Sequence, residues 1–462
     1  MSSGSLHYDV VVVGAGTAGS GAALQLARLG LRVALVDAKP LERAGPAWTV
    51  LVPPRLFDQA GIERPAGDEL VSDDFRHLIE GPEPGFGRVI VDPCPAWAVA
   101  LPPLVRRLHA QAAAAGATLY GGARLTELLL DGERPTGCVL HLQSPALRTT
   151  RLTLGCDLLV DASGLQAAVR RRLPVLDQRC PAPRPNELCH AAQYRFRIAD
   201  PAAAAAWLER TQQRAGDFLA RNGAEGSFST VSVQLDPAIE HADVLTGTLA
   251  SHPGSDALTM LAGAQRELPW LGARGPGGSA LIPVRRAYAR LAVHGAALLG
   301  DSACQVFPSH GSGIGSGLAA GRLLAQAVEQ AGDPGSPRVA DLYQAAFHLG
   351  PGPTHAAHEA FRRSLEPLDG SIGDLMRMGL VNEAHSRAAM DQTMPTFDLP
   401  TILHTVRGAA GAPWLGVRAA PVPLRMLLAH RMGRRRSCVN ERRQLRWARG
   451  LAWAVGAPAD PS

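Results

Sequence analysis

Asp9-Val10-Val11-Val12-Val13-Gly14-Ala15-Gly16-Thr17-Ala18-Gly19 is the stretch that decides how the rest of the chain is read. The four valines are apolar on both faces, as a strand must be when helices cover both sides of its sheet. Three glycines follow at G-x-G-x-x-G spacing. Gly14 permits the sharp turn, Gly16 lets backbone approach a pyrophosphate, and Gly19 lets the next helix pack close to the strand. An Ala/Leu-rich helical run then ends at Gly30, and a second strand over residues 32–36 ends in Asp37. An acid there accepts hydrogen bonds from an adenosine ribose and repels a 2′-phosphate, so the unit reads as a site for FAD or NAD rather than NADP. The contacts expected of it are Gly14, Gly16, Thr17, Ala18, Gly19, Asp37, Ala38 and Lys39, with peptide N–H groups near Thr17 pointing at the phosphates.

Outward from this unit, two more glycine-marked turns follow apolar strands. Asp157-Leu158-Leu159-Val160-Asp161 runs into Ala162-Ser163-Gly164, and Ala297-Leu298-Leu299-Gly300-Asp301 precedes Pro308-Ser309-His310-Gly311-Ser312-Gly313-Ile314 and a helix through Leu324. Residues 88–91 read as a further strand of the strand–helix alternation. Between the second and third turns, residues 193–198, 227–234 and 244–249 alternate as half-buried antiparallel strands do, and residues 202–221 read as a helix. These strands are the expected floor of a substrate site. The fold class expected is α/β: a doubly wound Rossmann-like sheet with an antiparallel β-sheet substrate domain and a helical C-terminal region. The boundaries are 1–175 for the cofactor domain with a small β insertion, 176–285 for the substrate domain, 286–332 for the closing strand and helix, and 333–462 for the helical region.

Three turns in this order resemble the FAD-containing superfamily of aromatic hydroxylases, geranylgeranyl reductases and flavin-dependent halogenases, over roughly residues 8–330. The resemblance implies that Gly300 and Asp301 bind the ribityl chain and that Asp161 and Gly164 belong to the middle cofactor motif. It also implies that Pro308, Gly311, Gly313 and Ile314 start a helix whose N-terminus lies by the flavin ring. Peptide N–H groups there suit the anionic edge of a reduced flavin. A third motif so far from the first implies an extended FAD. The arginine that the family places on the helix after the first strand pair is Leu101 here, with Arg106 or Arg107 as the expected substitute. Asp161-Ala162-Ser163-Gly164 looks like the reductase and halogenase branch, rather than the Ala-Asp-Gly of hydroxylases that use NADPH directly.

Halogenases of this kind use a lysine some tens of residues after the first motif, together with W-x-W-x-I-P. Lys39, the only lysine of the chain, stands beside the ribose acid, and the tryptophan motif is missing. The activity expected is that of an FAD-dependent monooxygenase, hydroxylating an organic or a carrier- or protein-bound substrate through a flavin C4a-hydroperoxide. Reduction of a C=C bond, or dehydrogenation, is the alternative, and a non-catalytic flavoprotein is the rival from another class. His310 is the expected catalytic group, placed to donate a proton or orient substrate. With no second nucleotide fingerprint, NAD(P)H is expected to visit the flavin transiently or to act through a separate flavin reductase.

The 462 residues exceed what one hydrophobic core usually organises, and 46% hydrophobic with 19% charged residues describe an ordinary globular composition. No apolar run reaches the roughly 18 residues of a membrane helix, and the cofactor strand starts too early for a signal peptide, so a cytoplasmic location is expected. Seven cysteines lack C-x-x-C or metal-type spacing, and no metal site is expected. Net charge is +5, yet residues 425–449 alone hold nine arginines against Glu441. Interleaved with Leu427, Leu428, Leu445 and Trp447 and followed by Leu451 and Trp453, this stretch is expected to dock an acidic partner or a membrane surface, and not nucleic acid; the alternative is a solvated helical face packed on its own domain.

Overall fold

A computed structural model describes residues 6–82, 87–144, 147–226, 228–252, 254, 256–366, 375–376, 379–397, 407, 421–435 and 441–460. Strand Leu6–Val13 lies at the centre of an eight-stranded sheet, flanked in parallel by Val33–Val36 and Leu147–Asp161. Val10, Val11 and Val12 are fully buried, as their unbroken apolar run requires. The late strand Ala296–Leu298 pairs in parallel with Leu147–Asp161. Register sets Val13 beside Asp161 and Asp161 beside Leu298. The three glycine turns therefore leave the sheet side by side, at the carboxyl ends of parallel strands where ligands of open α/β sheets bind.

Helix Thr17–Ala27, which follows the first turn, packs against helix Ile314–Ala331, which follows the third. Small residues allow the close approach: a Cβ on Gly317 would lie 2.9 Å from that of Ala18. Parts of the chain that are some 300 residues apart in sequence thus share one interface.

The substrate sheet has seven strands, in the order Leu271–Pro283, Leu188–Ile198, His241–Leu249, Ser229–Leu235, Phe218–Asn222, His77–Glu80, Arg88–Val91. Its last two strands come from the N-terminal segment, so the sheet is larger than the span 176–285, and residues 88–91 belong here rather than to the doubly wound sheet. The physical reason lies in Leu78, which is buried among Trp207, Leu219 and Val233 of this domain. The expected helix over 202–221 ends early. Pro201–Arg210 is helical, and after Gly216 at φ +93° the chain returns as strand Phe218–Asn222.

Helices Arg338–Leu349, Gly352–Leu365, Glu383–Met390, Pro421–Gly433 and Glu441–Val455 form the C-terminal region. The arginine-rich stretch supplies the last two, with residues 436–440 outside the described set. Leu428, Trp447 and Leu451 turn inward onto Ala356 and Ala360, and Trp447 Nε1 donates to Met432 O at 2.9 Å. Those three side chains fill a core, whereas Leu427 and Trp453 are exposed. Among the described residues no helix is long and apolar enough to cross a membrane.

Candidate active site

At the first turn, Gly14 has φ +110°, and a Cβ there would sit 2.2 Å from Ala162 O; on Gly19 it would sit 1.8 Å from Gly14 O. Packing alone explains both glycines. Gly16 is different, because a Cβ there would meet nothing within 4 Å. The open space above it is what a pyrophosphate needs, and the protein leaves it clear. Asp37 accepts from the N–H groups of Ala15 and Lys39, each at 2.8 Å, and holds the turn in place. His109, which no sequence motif marks, lies 2.9 Å from Ala15 O through Nε2 and buttresses the same turn.

Two expected cofactor contacts are not assembled. Arg106 is exposed and pairs with Asp68 at 3.3 Å, because helix Leu101–Ala114 buries its Val105, Leu108, His109 and Ala112 stripe and turns residue 106 outward. Asp161 is fully buried and fully engaged. Its carboxylate accepts from Ser163 N at 3.1 Å and Oγ at 2.6 Å, Val169 N at 3.0 Å and Arg170 N at 2.7 Å. It staples the middle turn. Gly164, at φ +67° and with nothing within 4 Å of where a Cβ would stand, is left as the open part of that motif.

Asp301 behaves in the opposite way. Its carboxyl has no hydrogen-bond partner among the described residues, and burial pushes it up to about 6. The backbone around it is fixed, with Gly300 N–H on Gln305 Oε1 at 2.9 Å and Gln305 Nε2 on Tyr343 Oη at 2.8 Å. A fixed, unsatisfied acceptor at this position suits a hydroxyl-bearing ligand such as a ribityl chain.

Helix N-termini carry a second sign. Helices Pro201–Arg210, Ala257–Glu267 and Glu383–Met390 are capped by the side chains of Asp200, Asp256 and Asn382. The helices starting after Gly16 and Gly313 have neither a side-chain cap nor an acid in the first turn. Their free N–H groups and positive dipole ends converge on the space between the first and third turns, ready for a pyrophosphate and for the negative edge of a reduced flavin. The third turn is itself closed by Gly311 N–H on Phe307 O at 2.9 Å and Ser312 Oγ on Leu51 O at 3.1 Å. The residues present therefore fit FAD.

Against this turn lies a cavity of about 290 Å³, walled by the substrate sheet, by Thr49 to Leu51, and by a roof from the C-terminal region that includes Leu380, Met390 and Val422. None of the described residues lining it is Asp, Glu, Lys or Arg. Four of the polar residues lining it are histidines: His77, His310, His358 and His385. Burial pushes His310 and His358 down to about 4. The His310, His355 and His358 rings surround Phe307 at centroid distances of 4.9, 5.7 and 4.3 Å. Sequence alone gives residues 333–462 no role here, because nothing local in Gly352–Leu365 announces that its histidines fold back onto the third turn.

His310 is thereby restrained. Nε2 lies 3.2 Å from Ala389 O, and Nδ1 accepts from Ser312 N at 3.3 Å. An imidazole bonded at both nitrogens, and pushed down to about 4 by burial, is placed to orient the turn. The expected result is that His310→Gln lowers kcat/KM by less than the roughly 100-fold that marks a proton-transferring group. The pH–rate profiles of both forms should run parallel between about pH 6 and 8, with no limb lost in the variant.

Comparison with known proteins agrees with this geometry. Residues 7–346 match the family model described as FAD binding domain. The digeranylgeranylglycerophospholipid reductase of Sulfolobus acidocaldarius is 26% identical over 388 residues, covering 79% of this chain and 78% of its own. The menaquinone reductase of Mycolicibacterium smegmatis is 28% identical over 340 residues, covering 70% and 77%. Among solved structures, a geranylgeranyl bacteriochlorophyll reductase-like protein from Thermoplasma acidophilum superposes with a TM-score of 0.70 at 17% identity, over 91% of this chain and all of that one. The fold recurs in the flavin-dependent brominase Bmp2, with a TM-score of 0.60 at 15% identity over 88% of this chain and 99% of that one. It recurs again in PqsL, a probable FAD-dependent monooxygenase of Pseudomonas aeruginosa, with a TM-score of 0.55 at 17% identity over 78% and 97%.

Proposed function

This chain belongs to the FAD binding domain family, an FAD-dependent oxidoreductase fold, and on that premise we propose that it reduces a carbon–carbon double bond in an uncharged, largely apolar substrate. The observation that carries the proposal is the cavity beside the Gly311–Gly313 turn, whose described lining holds no carboxylate, ammonium or guanidinium group. An ionic substrate would enter it without a partner, at a cost of several kcal/mol. The two sequence relatives whose names are reductases support the same direction. Bound FAD would supply the hydride. The chain would hold its adenosine end with the first glycine turn and Asp37, its ribityl chain with Asp301, and the negative edge of the ring with peptide N–H groups at the start of Ile314–Ala331. The apolar walls keep water from the reacting carbons. Electrons reach the flavin from NAD(P)H, directly or through a separate flavin reductase.

A second reading, oxygen transfer by a monooxygenase, draws on the same cavity. Alkene reduction must deliver a proton to the second carbon, and no carboxyl or ammonium group is found among the described residues lining the space. Oxygen transfer asks chiefly for a dry pocket. The deciding experiment mixes chemically reduced holoprotein with a geranylgeranyl lipid under argon. Flavin reoxidation with a product heavier by two hydrogens is the expected result. A flavin that stays reduced under argon, then yields a product heavier by one oxygen when air is admitted, replaces reduction with the second reading.

A further inference from the structure

We infer that His77 is the residue that selects the substrate, donating a ring N–H hydrogen bond to an uncharged oxygen of an otherwise apolar ligand, such as the carbonyl of a quinone or ketone. The inference rests on the proposal that the cavity is the substrate site, and deepens it by naming a recognition element. His77 lies on strand His77–Glu80 of the substrate sheet, where alternation sends Leu78 into the domain core and His77 and Ile79 to the cavity. The residue is buried, with a relative exposure of 4%. Among the described residues, neither buried ring nitrogen has a hydrogen-bond partner.

That is an uncommon state. Buried polar atoms are satisfied in the great majority of cases, and an orphan on a cavity wall marks a partner that arrives from outside. The neighbouring ring, Phe218, packs edge-on at 5.2 Å and offers no hydrogen bond. The other cavity histidines differ. His310 and His358 have each nitrogen within reach of a protein group: Ala389 O and Ser312 N for His310, Ser309 Oγ and Thr393 O for His358. His385 is likewise placed on Leu380 O and Thr396 O. Among the four, His77 alone keeps its donor and acceptor for a ligand. Burial holds it neutral, with His310 adding to the effect, so it offers one N–H and one lone pair rather than a charge. A neutral ring in such a cavity discriminates in favour of ligands that carry an oxygen and against hydrocarbons that leave it unpaired.

The test is equilibrium binding to the oxidised holoprotein, read from perturbation of the flavin spectrum and independent of turnover. The probes are a quinone bearing a ten-carbon chain and the corresponding hydrocarbon, decylbenzene. The wild type is expected to prefer the quinone by at least about 10-fold, His77→Phe to bind both alike, and His77→Gln, which restores a donor and an acceptor, to regain the preference. His77→Phe should also melt at or above the wild-type temperature without ligand, since it removes two unsatisfied polar atoms. Equal binding of both probes by the wild type, or an undiminished preference in His77→Phe, overturns the inference. A preserved preference without reductase turnover would count against the proposed reaction and leave the role of His77 standing.

Discussion

Gly16→Val is expected to give a protein that folds like the wild type and purifies without flavin. The position is unusual among the glycines of the first turn, because no protein atom fills the space beside it. A Cβ on Gly14 or Gly19 would stand only 2.2 or 1.8 Å from a backbone oxygen, so substituting either breaks the turn itself. Gly16 has φ −70°, which any residue adopts, and open space beyond it. A valine there costs the chain no more than about 1 kcal/mol as a poorer helix N-cap. Its branches would occupy the volume through which a pyrophosphate reaches the N–H groups of helix Thr17–Ala27. FAD affinity should fall by at least about 100-fold, or ~3 kcal/mol. Thermal melts provide the measurement. Added FAD should raise the melting temperature of the wild-type apoprotein and leave that of Gly16→Val unchanged, while the two apoproteins melt within a few degrees of each other. A variant that retains yellow colour at wild-type stoichiometry would show that the open space is not the cofactor path.

The contrast between Gly16 and Gly14 also marks what sequence can convey. Spacing identifies all three glycines and the strand ends that set Val13, Asp161 and Leu298 in register, because parallel pairing and tight turns are local demands written in local residues. Spacing does not separate an acid that faces a ligand from one that faces its own chain. Asp161 and Asp301 both stand where a parallel strand gives way to a turn, yet Asp161 is saturated by four donors, whereas the Asp301 carboxyl has no partner among the described residues. That distinction depends on where residues 163–170 and 305 fold. The cavity is still less legible. Its histidines lie at 77, 310, 358 and 385, on a strand, a turn and two helices, and only the tertiary arrangement brings them onto one space. Arg106 misses the cofactor for a local reason, since its position on the exposed side of helix Leu101–Ala114 follows from the spacing of Val105, Leu108 and Ala112.

Replacing Glu359 should have the largest effect on stability of any single change outside the cofactor turns. Glu359 is wholly buried on helix Gly352–Leu365 and bonds Arg286 and Arg363, each at 2.8 Å. Arg363 also bonds Glu187 at 2.7 Å, and Arg285 joins Glu187 to Asp460, the latter at 2.6 Å. Desolvation alone would raise the carboxyl, but the surrounding arginines overcome it and hold it far below its ordinary value of 4.5. Truncation to alanine strands Arg286 in a buried setting and leaves Arg363 only Glu187, a loss of about 3–5 kcal/mol. Glu359→Gln keeps the shape and removes the charge, so it should fall between alanine and wild type in denaturant midpoints measured on holoprotein. The sign with pH follows from the depressed carboxyl: its contribution is complete above the ordinary value of 4.5 and is lost as pH falls below it, so the wild type should weaken steeply under acid while Glu359→Gln loses that part of the slope. His358 precedes Glu359 on the same helix and holds Ser309 of the third turn at 2.6 Å. Loosening the ion-pair cluster should therefore reach the cavity, and flavin fluorescence in Glu359→Gln should rise at lower denaturant than global unfolding, as the roof over the cavity opens first.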